Sequence, residues 1–170
     1  MKPLNPDEFG EMFSSFRHSA FRFEGLQDYD SPEDAERFSA FLHGKPAAPN
    51  QPWCEIVRTA TAAGKRMQRV RLVRVPMTDF TRFELACYRW SAEAGEDISV
   101  ADFHPELDRV RDFWLFDMTT AVLMNYDRRG QYLSAELADR ADTDRCIRLR
   151  RLLLSHAVPL NDYLAVTGVA

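Results

Sequence analysis

Cysteine is scarce in this 170-residue chain, and the three that are present do not have the spacing of a disulfide framework or a zinc knuckle. Cys54, Cys87 and Cys146 form an odd set without a C-x-x-C pair, so we expect buried free thiols. The four histidines lie in four different segments, and none stands four residues from another metal-capable side chain on a clear helix. We therefore expect neither a metal site nor a cofactor.

Long apolar runs and a secretory leader are missing as well. No run approaches the roughly 20 residues that a membrane span needs, and residues 1–13 lack the basic, apolar and small-residue zones of a signal peptide. With 45% hydrophobic and 28% charged residues, the chain is long enough to bury a core of its own. We expect one soluble cytoplasmic domain over residues 1–170, without a membrane contact.

The common catalytic loops are also absent. No G-x-S-x-G sequence surrounds a serine, and the chain contains no G-x-G-x-x-G. Gly64-Lys65-Arg66 lacks the upstream glycine and the hydroxyl residue of a phosphate-binding loop. The sequence therefore singles out no nucleophile and no nucleotide site.

The net charge of −4 gives the chain no general attraction to nucleic acid. Two basic groups stand out against this background: Lys65, Arg66, Arg69, Arg71 and Arg74 in one, and Arg140, Arg145, Arg148, Arg150 and Arg151 in the other. No aromatic stacking pattern accompanies them, so we interpret both as solvated faces balanced by the 26 acidic residues. Direct nucleic-acid binding is not expected.

Residues 61–85 are the unit around which the rest of the chain is predicted to pack. Apolar residues at helical spacing from Trp53 to Ala63 end at Gly64, and residues 69–75 then predict a strand covered on both faces. Thr78 is the predicted N-cap of the next helix. Its apolar stripe comprises Phe80, Phe83, Cys87 and Trp90.

The segments before this unit predict two helices and a strand. Residues 9–16 have the spacing of a short amphipathic helix, and residues 20–24 alternate as a strand with one wet or polar face. Ser31-Pro32 is typical of a helix start, because a serine cap precedes a proline at the first helical position.

The segments after this unit predict a short edge strand at residues 98–100 and a β-meander. The three strands of the meander are residues 112–117, 121–126 and 131–137. A last helix over residues 142–156 is predicted to end before Pro159. The fold class that follows is α/β: a single domain with a mixed central β-sheet flanked by helices, in which residues 69–75 and 112–117 are interior strands.

Five charged residues stand among apolar ones: Asp79, Arg82, Glu84, Asp112 and Asp117. Burying an unpaired charge is costly, so some of these residues must form buried or half-buried ion pairs. Two interpretations remain open. The cluster lines a pocket, or it consists of ion pairs that specify the fold.

Five segments resemble a family of actinobacterial domains of unknown function, and together they span nearly the whole chain. They are FRHSAFRFE, RTATAAGKRMQRVRLVRVPMTDFTRFEL, AGEDI, DFWLFD and HAVPLNDY. Members of that family look like genomic companions of helix-turn-helix regulators. The resemblance implies no assigned activity.

A more distant similarity is to half of a phospholipase D-like domain, in which a strand carries H-x-K-x-x-x-x-D. The alignment places Val110, Asp112 and Asp117 at the histidine, lysine and aspartate positions. The histidine is the nucleophile of that chemistry and the lysine holds the phosphate. Because only the aspartate is kept, the similarity implies a degenerate, non-catalytic copy of that fold.

We therefore expect a non-catalytic regulatory or protein-interaction module whose partner is a protein, with a helix-turn-helix transcription regulator implied by the family resemblance. Trp90, Trp114, Arg82 and Arg148 are candidates for the shared surface by residue type, because interfaces are enriched in aromatic residues and arginine. The alternative is a phosphodiesterase or nuclease-like enzyme with a rearranged phospholipase D-like site. The sequence predicts no oligomeric state.

Overall fold

A computed structural model of residues 1–107 and 110–169 shows one mixed β-sheet of eight strands. They are β1 (Lys2–Leu4), β2 (Ser19–Glu24), β3 (Arg66–Val73), β4 (Asp97–Asp102), β5 (Phe113–Phe116), β6 (Thr120–Tyr126), β7 (Tyr132–Leu137) and β8 (Val158–Pro159). Their order across the sheet is β1-β7-β6-β5-β2-β3-β4-β8. β3 is parallel to both β2 and β4, whereas the other neighbours are antiparallel.

The described residues also form six α-helices around this sheet. They are α1 (Pro6–Ser15), α2 (Ala35–Leu42), α3 (Gln51–Ala62), α4 (Asp79–Glu93), α5 (Arg140–His156) and α6 (Leu160–Thr167). One core contains side chains of α1 and α3 against the sheet, and a second core contains Cys146 and Leu153 of α5. A third joins α4 and α6 to β3 and β4. No helix of the described residues is long and apolar enough to cross a membrane.

The predicted α/β architecture is confirmed. β3 lies between β2 and β4, and β5 lies between β2 and β6, so both strands predicted as interior are interior. The β-meander is present as β5, β6 and β7. Thr78 caps α4 as predicted, because its side chain accepts a hydrogen bond from the Thr81 backbone N–H. All three cysteines are free; Cys54 and Cys146 are buried, whereas Cys87 is half-buried.

Two predictions are wrong, one about the position of a strand in the sheet and one about the start of a helix. Residues 98–100 are not an edge strand, because β4 is six residues long and lies between β3 and β8. The helix predicted from Ser31 begins only at Ala35. Residues 32–34 form a turn instead, in which the Asp34 backbone N–H donates to the Ser31 carbonyl and the Asp34 side chain pairs with Arg37.

Three short elements at the ends of the chain have no counterpart in the sequence prediction. β1 has three residues and β8 has two, too few for a hydrophobic period to be recognised. α6 follows Pro159 directly, where the sequence predicts only the end of a helix. The start of α1 does have a signal, a capping box in which Asn5 and Glu8 exchange side-chain to backbone hydrogen bonds.

Candidate functional site

Alternation along two neighbouring strands places four charged side chains on one face of the sheet. Arg22 and Glu24 come from β2, and Arg69 and Arg71 come from β3. The parallel register sets Arg22 beside Arg69 and Glu24 beside Arg71. All four are buried, and Arg71 has no exposed surface. The face of β2 predicted as wet or polar is therefore polar and buried, and the interpretation of Arg69 and Arg71 as solvated is wrong.

Glu24 is the centre of this arrangement. Its Oε1 accepts hydrogen bonds from Arg22 Nε at 3.3 Å and Arg69 Nη1 at 2.7 Å, and its Oε2 accepts one from the Tyr88 hydroxyl at 2.5 Å. Burial disfavours the ionised form of Glu24, but the charges of Arg69, Arg22 and Arg71 outweigh burial and lower its pKa. Glu24 is therefore a carboxylate at neutral pH.

Arg69 connects this centre to α3 through a second carboxylate. Its Nε donates to Glu96 Oε1 at 2.9 Å, and the Trp53 indole N–H donates to Glu96 Oε2 at the same distance. The guanidinium also lies over two rings, 5.4 Å from the Trp53 centroid and 5.0 Å from that of Tyr88. Arg69 therefore forms ion pairs with Glu24 and Glu96 and cation–π contacts with Trp53 and Tyr88.

Asp112 occupies the other end of the arrangement, immediately before β5. Its Oδ1 accepts from the Gly25 backbone N–H at 2.8 Å, and its Oδ2 accepts from Arg22 Nη2 at 3.0 Å and the Tyr29 hydroxyl at 2.6 Å. Arg22 Nη2 also donates to the Tyr126 hydroxyl at 3.0 Å. Burial raises the pKa of Asp112, although Arg22 and these hydrogen bonds oppose the shift.

Glu84 of α4 completes the set. Its Oε2 accepts from Arg71 Nη2 at 2.6 Å, and Arg71 Nη1 donates to the Leu26 carbonyl. We call the seven residues the arginine–carboxylate network: Arg22, Glu24, Arg69, Arg71, Glu84, Glu96 and Asp112. Its three guanidiniums face four carboxyl groups, so one carboxyl group is in excess.

The excess carboxyl group has a physical consequence at Glu84. Burial raises the pKa of Glu84 to about 8, the nearby charge of Glu24 acts in the same direction, and Arg71 and Arg69 oppose the shift without cancelling it. Of its two carboxyl oxygens, Oε1 has no hydrogen bond to the described residues, and the side chain keeps 14% of its surface exposed. Glu84 is thus the member of the network that remains open to a ligand.

A cavity of about 640 Å³ lies over this part of the network. We call it the tyrosine cavity, because Tyr29, Tyr126 and Tyr132 form part of its wall. Arg22, Glu24 and Glu84 also line it. Asp30, Glu33 and Asp34 stand at the same wall, so carboxyl groups outnumber cations around the space. Among the described residues, no group of three or more His, Cys, Asp or Glu has the arrangement of a metal site.

A second, more apolar depression of about 720 Å³ lies where α6 meets the loop after β3. We call it the valine groove, because Val75, Val158 and Val166 line it and expose 79%, 43% and 88% of their surface. Asp102 and Asp162 also line this groove. The surface therefore combines exposed aliphatic side chains with negative charge.

The structure brings together only part of the set predicted as site residues. Glu84 and Asp112 are members of the arginine–carboxylate network, and Trp114 lies under it, with its ring 5.5 Å from the Arg22 guanidinium carbon. Trp114 is 6% exposed, so it is not available to a partner. Asp79 and Arg82 instead form an exposed pair on α4, 3.3 Å apart, and Arg82 reaches the valine groove.

The remaining predicted residues lie away from the network. Asp117 is at the turn between β5 and β6, where it accepts hydrogen bonds from the backbone N–H groups of Arg17, His18 and Ser19. Trp90 is 41% exposed, and its indole N–H donates to the Ala47 carbonyl at 2.9 Å. Arg148 is exposed on α5. Neither the tyrosine cavity nor the valine groove is lined by Asp117, Trp90 or Arg148.

The principal residues that sequence reasoning missed are Arg22, Glu24, Arg69 and Arg71. Their signal was present in the alternation of charged and apolar residues along β2 and β3, which puts all four on one face. Such alternation normally marks a solvated face. What buries it are Tyr29, which lies outside any strand, and Tyr88 and Trp53, which lie on helices, so the sequence pattern of the strands could not show it.

Comparison with known proteins identifies a family and a fold. A family model described as "Domain of unknown function (DUF6879)" matches residues 7–165. No curated protein matches the chain. Among solved structures, the chain is similar to a phospholipase D family member, Nuc from Salmonella typhimurium, with a TM-score of 0.55 and 10% sequence identity. The similarity covers 91% of this chain and 93% of that chain, and at this identity it concerns the fold alone.

Proposed function

Because the chain belongs to the family of domains of unknown function DUF6879, we propose its function from its own surface: a non-catalytic regulatory module that binds a protein partner through the valine groove. The proposed partner is a helix-turn-helix transcription regulator, and the proposed location of the interaction is the cytoplasm. The observation that carries the proposal is the concentration of three exposed valines around one groove.

Exposed valines favour a macromolecular partner over bulk water. Burying apolar surface releases roughly 25 cal/mol per Å², and contiguous apolar patches on a soluble protein commonly mark interaction sites. Val75, Val158 and Val166 come from three different parts of the chain, yet they line one surface. A partner with an apolar side chain that fills the groove would supply the central contact of such an interface.

The charges around the groove favour a basic partner. Asp102 and Asp162 line it, and Arg82 is the basic residue of the lining. Arg82 is partly neutralised by Asp79 at 3.3 Å. DNA-binding regulators carry lysine and arginine for phosphate contacts, so their surfaces are complementary to this negative edge. The net charge of −4 adds a weak attraction between this protein and a basic partner.

The phosphodiesterase or nuclease alternative has less support from the geometry. Asp112, which the resemblance aligns with a phosphate-holding lysine, carries the opposite charge, and both its oxygens accept hydrogen bonds from Gly25, Arg22 and Tyr29. A carboxylate at this position repels a phosphodiester. The neighbouring Val110 has no nucleophilic atom.

The proposal is tested with affinity-tagged protein and a purified helix-turn-helix regulator from the same organism, with binding measured by calorimetry. We expect a stoichiometric complex that Val166→Lys weakens at least about tenfold, because the change removes an apolar contact and repels a basic partner. Leu133→Lys is the matched control: Leu133 is 60% exposed on β7, outside the groove, and should leave binding unchanged.

Two results would overturn the proposal. One is the lack of any complex with the regulator under conditions in which the tagged protein is folded. The other is a complex that Val166→Lys and Leu133→Lys affect equally, because the binding surface would then not be the valine groove. A pull-down from cell extract with mass spectrometry extends the search to other regulators, and each captured protein is then subjected to the same pair of substitutions.

A further inference from the structure

The tyrosine cavity has the form of an aromatic cage. The rings of Tyr29 and Tyr126 are 5.3 Å apart at an interplanar angle of 72°, and those of Tyr126 and Tyr132 are 6.1 Å apart at 70°. All three line one cavity, together with Phe9. In each pair the edge of one ring packs against the face of the other, so the three rings form a continuous aromatic wall of the cavity, which we call the cage. Aromatic surfaces of this kind commonly hold organic cations.

The network fixes two of these rings from behind. The Tyr29 hydroxyl donates to Asp112, and the Tyr126 hydroxyl accepts from Arg22. Both hydroxyl groups are therefore engaged in the arginine–carboxylate network, while the rings belong to the cavity wall. The cage exists before a ligand arrives, so binding would cost little ordering of these side chains.

Two polar groups of the same wall lack a partner among the described residues. Glu84 has a carboxyl oxygen without a hydrogen bond, on a side chain that is 14% exposed. Arg22 has a buried Nη1 without an acceptor, on a side chain that is 5% exposed. An unpaired buried donor is costly, but this nitrogen has almost no accessible surface and does not reach the cavity. The wall thus offers one site for a positive charge, at the free carboxyl oxygen of Glu84.

We propose that the tyrosine cavity binds a small organic cation, an ammonium group that Glu84 neutralises and the rings of Tyr29, Tyr126 and Tyr132 surround. Once Glu84 loses its proton, four carboxylates face only three guanidiniums, and the cation supplies the missing positive charge. The acids at the rim, Asp30, Glu33 and Asp34, add attraction of the same sign. This site is separate from the valine groove and does not depend on the proposed protein partner.

Choline is the probe of choice, because it is a small molecule with a permanently charged quaternary ammonium group. Its uncharged carbon isostere, 3,3-dimethylbutan-1-ol, has the same shape. Calorimetric titration of the full-length protein should show saturable binding of choline, and the isostere should bind at least about tenfold more weakly, because it lacks the cation–π and ionic contributions. Equal affinity for the two compounds would overturn the proposal, and so would a lack of choline binding at millimolar concentration.

Substitutions locate the site. At pH 8.5, Glu84→Gln should weaken choline binding about tenfold, since it removes the negative charge and keeps the shape. Tyr132→Ala should weaken it about threefold, as expected for one half-exposed ring of a cage, and Tyr132 lies at a 47% exposed position where the truncation leaves the core intact. Trp90→Ala is the matched control, because Trp90 is also half-exposed and lies outside the cavity. Unchanged affinity in both cavity variants would contradict the assignment.

The pH dependence of binding separates an ionic role of Glu84 from a structural one. Arg71 and Arg69 from β3 and Glu24 from β2 face Glu84, and Tyr88 comes from its own helix. Of these, only Glu84 has a pKa near neutrality, at about 8. Choline affinity should therefore rise from pH 6 to pH 8.5 as Glu84 loses its proton, and it should be flat in Glu84→Gln. A wild-type affinity that does not change over this range would overturn the role of Glu84.

The cation has two sources, a free metabolite or a lysine side chain of a protein. A blocked tripeptide with a central trimethyl-lysine carries the same ammonium group on a polypeptide. If the protein binds both choline and this peptide, the cavity is assigned to a modified lysine side chain, because the cage then accepts the peptide backbone at its mouth. If it binds choline but not the peptide, the cavity is assigned to a free cation. Either result supports the cage, and a lack of choline binding overturns it, whatever the peptide does, without affecting the valine groove.

Discussion

At the scale of residues, the protonation of the arginine–carboxylate network depends on its one surplus carboxyl group. Glu24 is held as a carboxylate by Arg22, Arg69 and Arg71, and the cost of the surplus negative charge falls on acids at the edge of the network. Burial raises the pKa values of Glu84 and Asp112. Buried ion pairs of this kind contribute little net stability compared with apolar packing, but they are costly to break one partner at a time.

Glu84 should make the stability of the protein fall as the pH rises. Its pKa is about 8 in the folded chain against an ordinary value of 4.5, so between these values the folded state keeps a proton that the unfolded state has released. The free energy of unfolding therefore decreases by about 5 kcal/mol as the pH rises through that window, and it does not change further above it. Urea unfolding at pH 5, 6.5 and 8 measures this slope.

The substitution Glu84→Gln should reduce that slope and raise the stability at pH 8 relative to wild type. Glutamine still accepts from Arg71, but it has no proton to lose. Glu93→Gln is the matched control, because Glu93 is exposed on the same helix and should keep the wild-type slope. Glu24, whose pKa is lowered, stays ionised throughout the window and does not add to the effect. Identical slopes in wild type and Glu84→Gln would contradict the assignment.

The sequence could predict buried ion pairs but not their members. Glu84 and Asp112 were inferred from charges among apolar neighbours, and both are in the network. Asp79 and Arg82 met the same criterion, yet they form an exposed pair at the start of α4. The difference is the direction of each side chain relative to the sheet. That direction depends on how the helix packs, and a single helix does not contain this information.

At the scale of elements, α4 illustrates how a correct element can present an unexpected face. The stripe predicted to be buried runs from Phe80 and Phe83 to Cys87 and Trp90. In the structure Phe80 and Phe83 contact the ring of Phe38 on α2, whereas Trp90 is 41% exposed. The stripe that faces the sheet instead includes Glu84, Leu85 and Tyr88. A helix between a sheet and another helix buries two stripes, and the apolar period identifies only the more hydrophobic one.

Asp117 joins two elements that are far apart in the sequence. It follows β5, has φ of 50°, and accepts three hydrogen bonds from the backbone of residues 17–19, which lead into β2. Asp117→Ala should lower the free energy of unfolding by about 2 kcal/mol, because bonds to a charged acceptor are lost and alanine disfavours positive φ. Chemical denaturation measures the loss.

Two further variants define the contribution of Asp117. Asp117→Asn should lose less than the alanine variant, because asparagine tolerates positive φ and keeps one acceptor oxygen. Asp144→Ala, at an exposed position on α5, should stay within about 0.5 kcal/mol of wild type. If Asp117→Ala is no more destabilising than Asp144→Ala, the turn between β5 and β6 does not depend on this carboxylate.

At the scale of the whole molecule, the fold was predictable from the sequence, whereas the arginine–carboxylate network was not. The chain shares its fold with a phospholipase D family member, and the similarity extends over nearly all of both chains. The sheet was predictable because its interior strands are continuous apolar or alternating runs, as in β3, β5 and β6. The arginine–carboxylate network was not predictable, because it is assembled from β2, β3, α4, the residue before β4 and the residue before β5. Its members are spread along the sequence from Arg22 to Asp112.

The arginine–carboxylate network predicts that the protein does not hydrolyse phosphodiesters. The arginine–carboxylate network has an excess of acid, Asp112 is an acceptor on both oxygens, and the exposed His18, His43, His104 and His156 lie outside the tyrosine cavity. Purified protein should therefore release p-nitrophenol from bis(p-nitrophenyl) phosphate no faster than buffer, with and without Mg²⁺, while its circular dichroism shows that it is folded. Turnover that co-purifies with the chain and disappears in Asp112→Asn would instead establish a rearranged phosphodiesterase site.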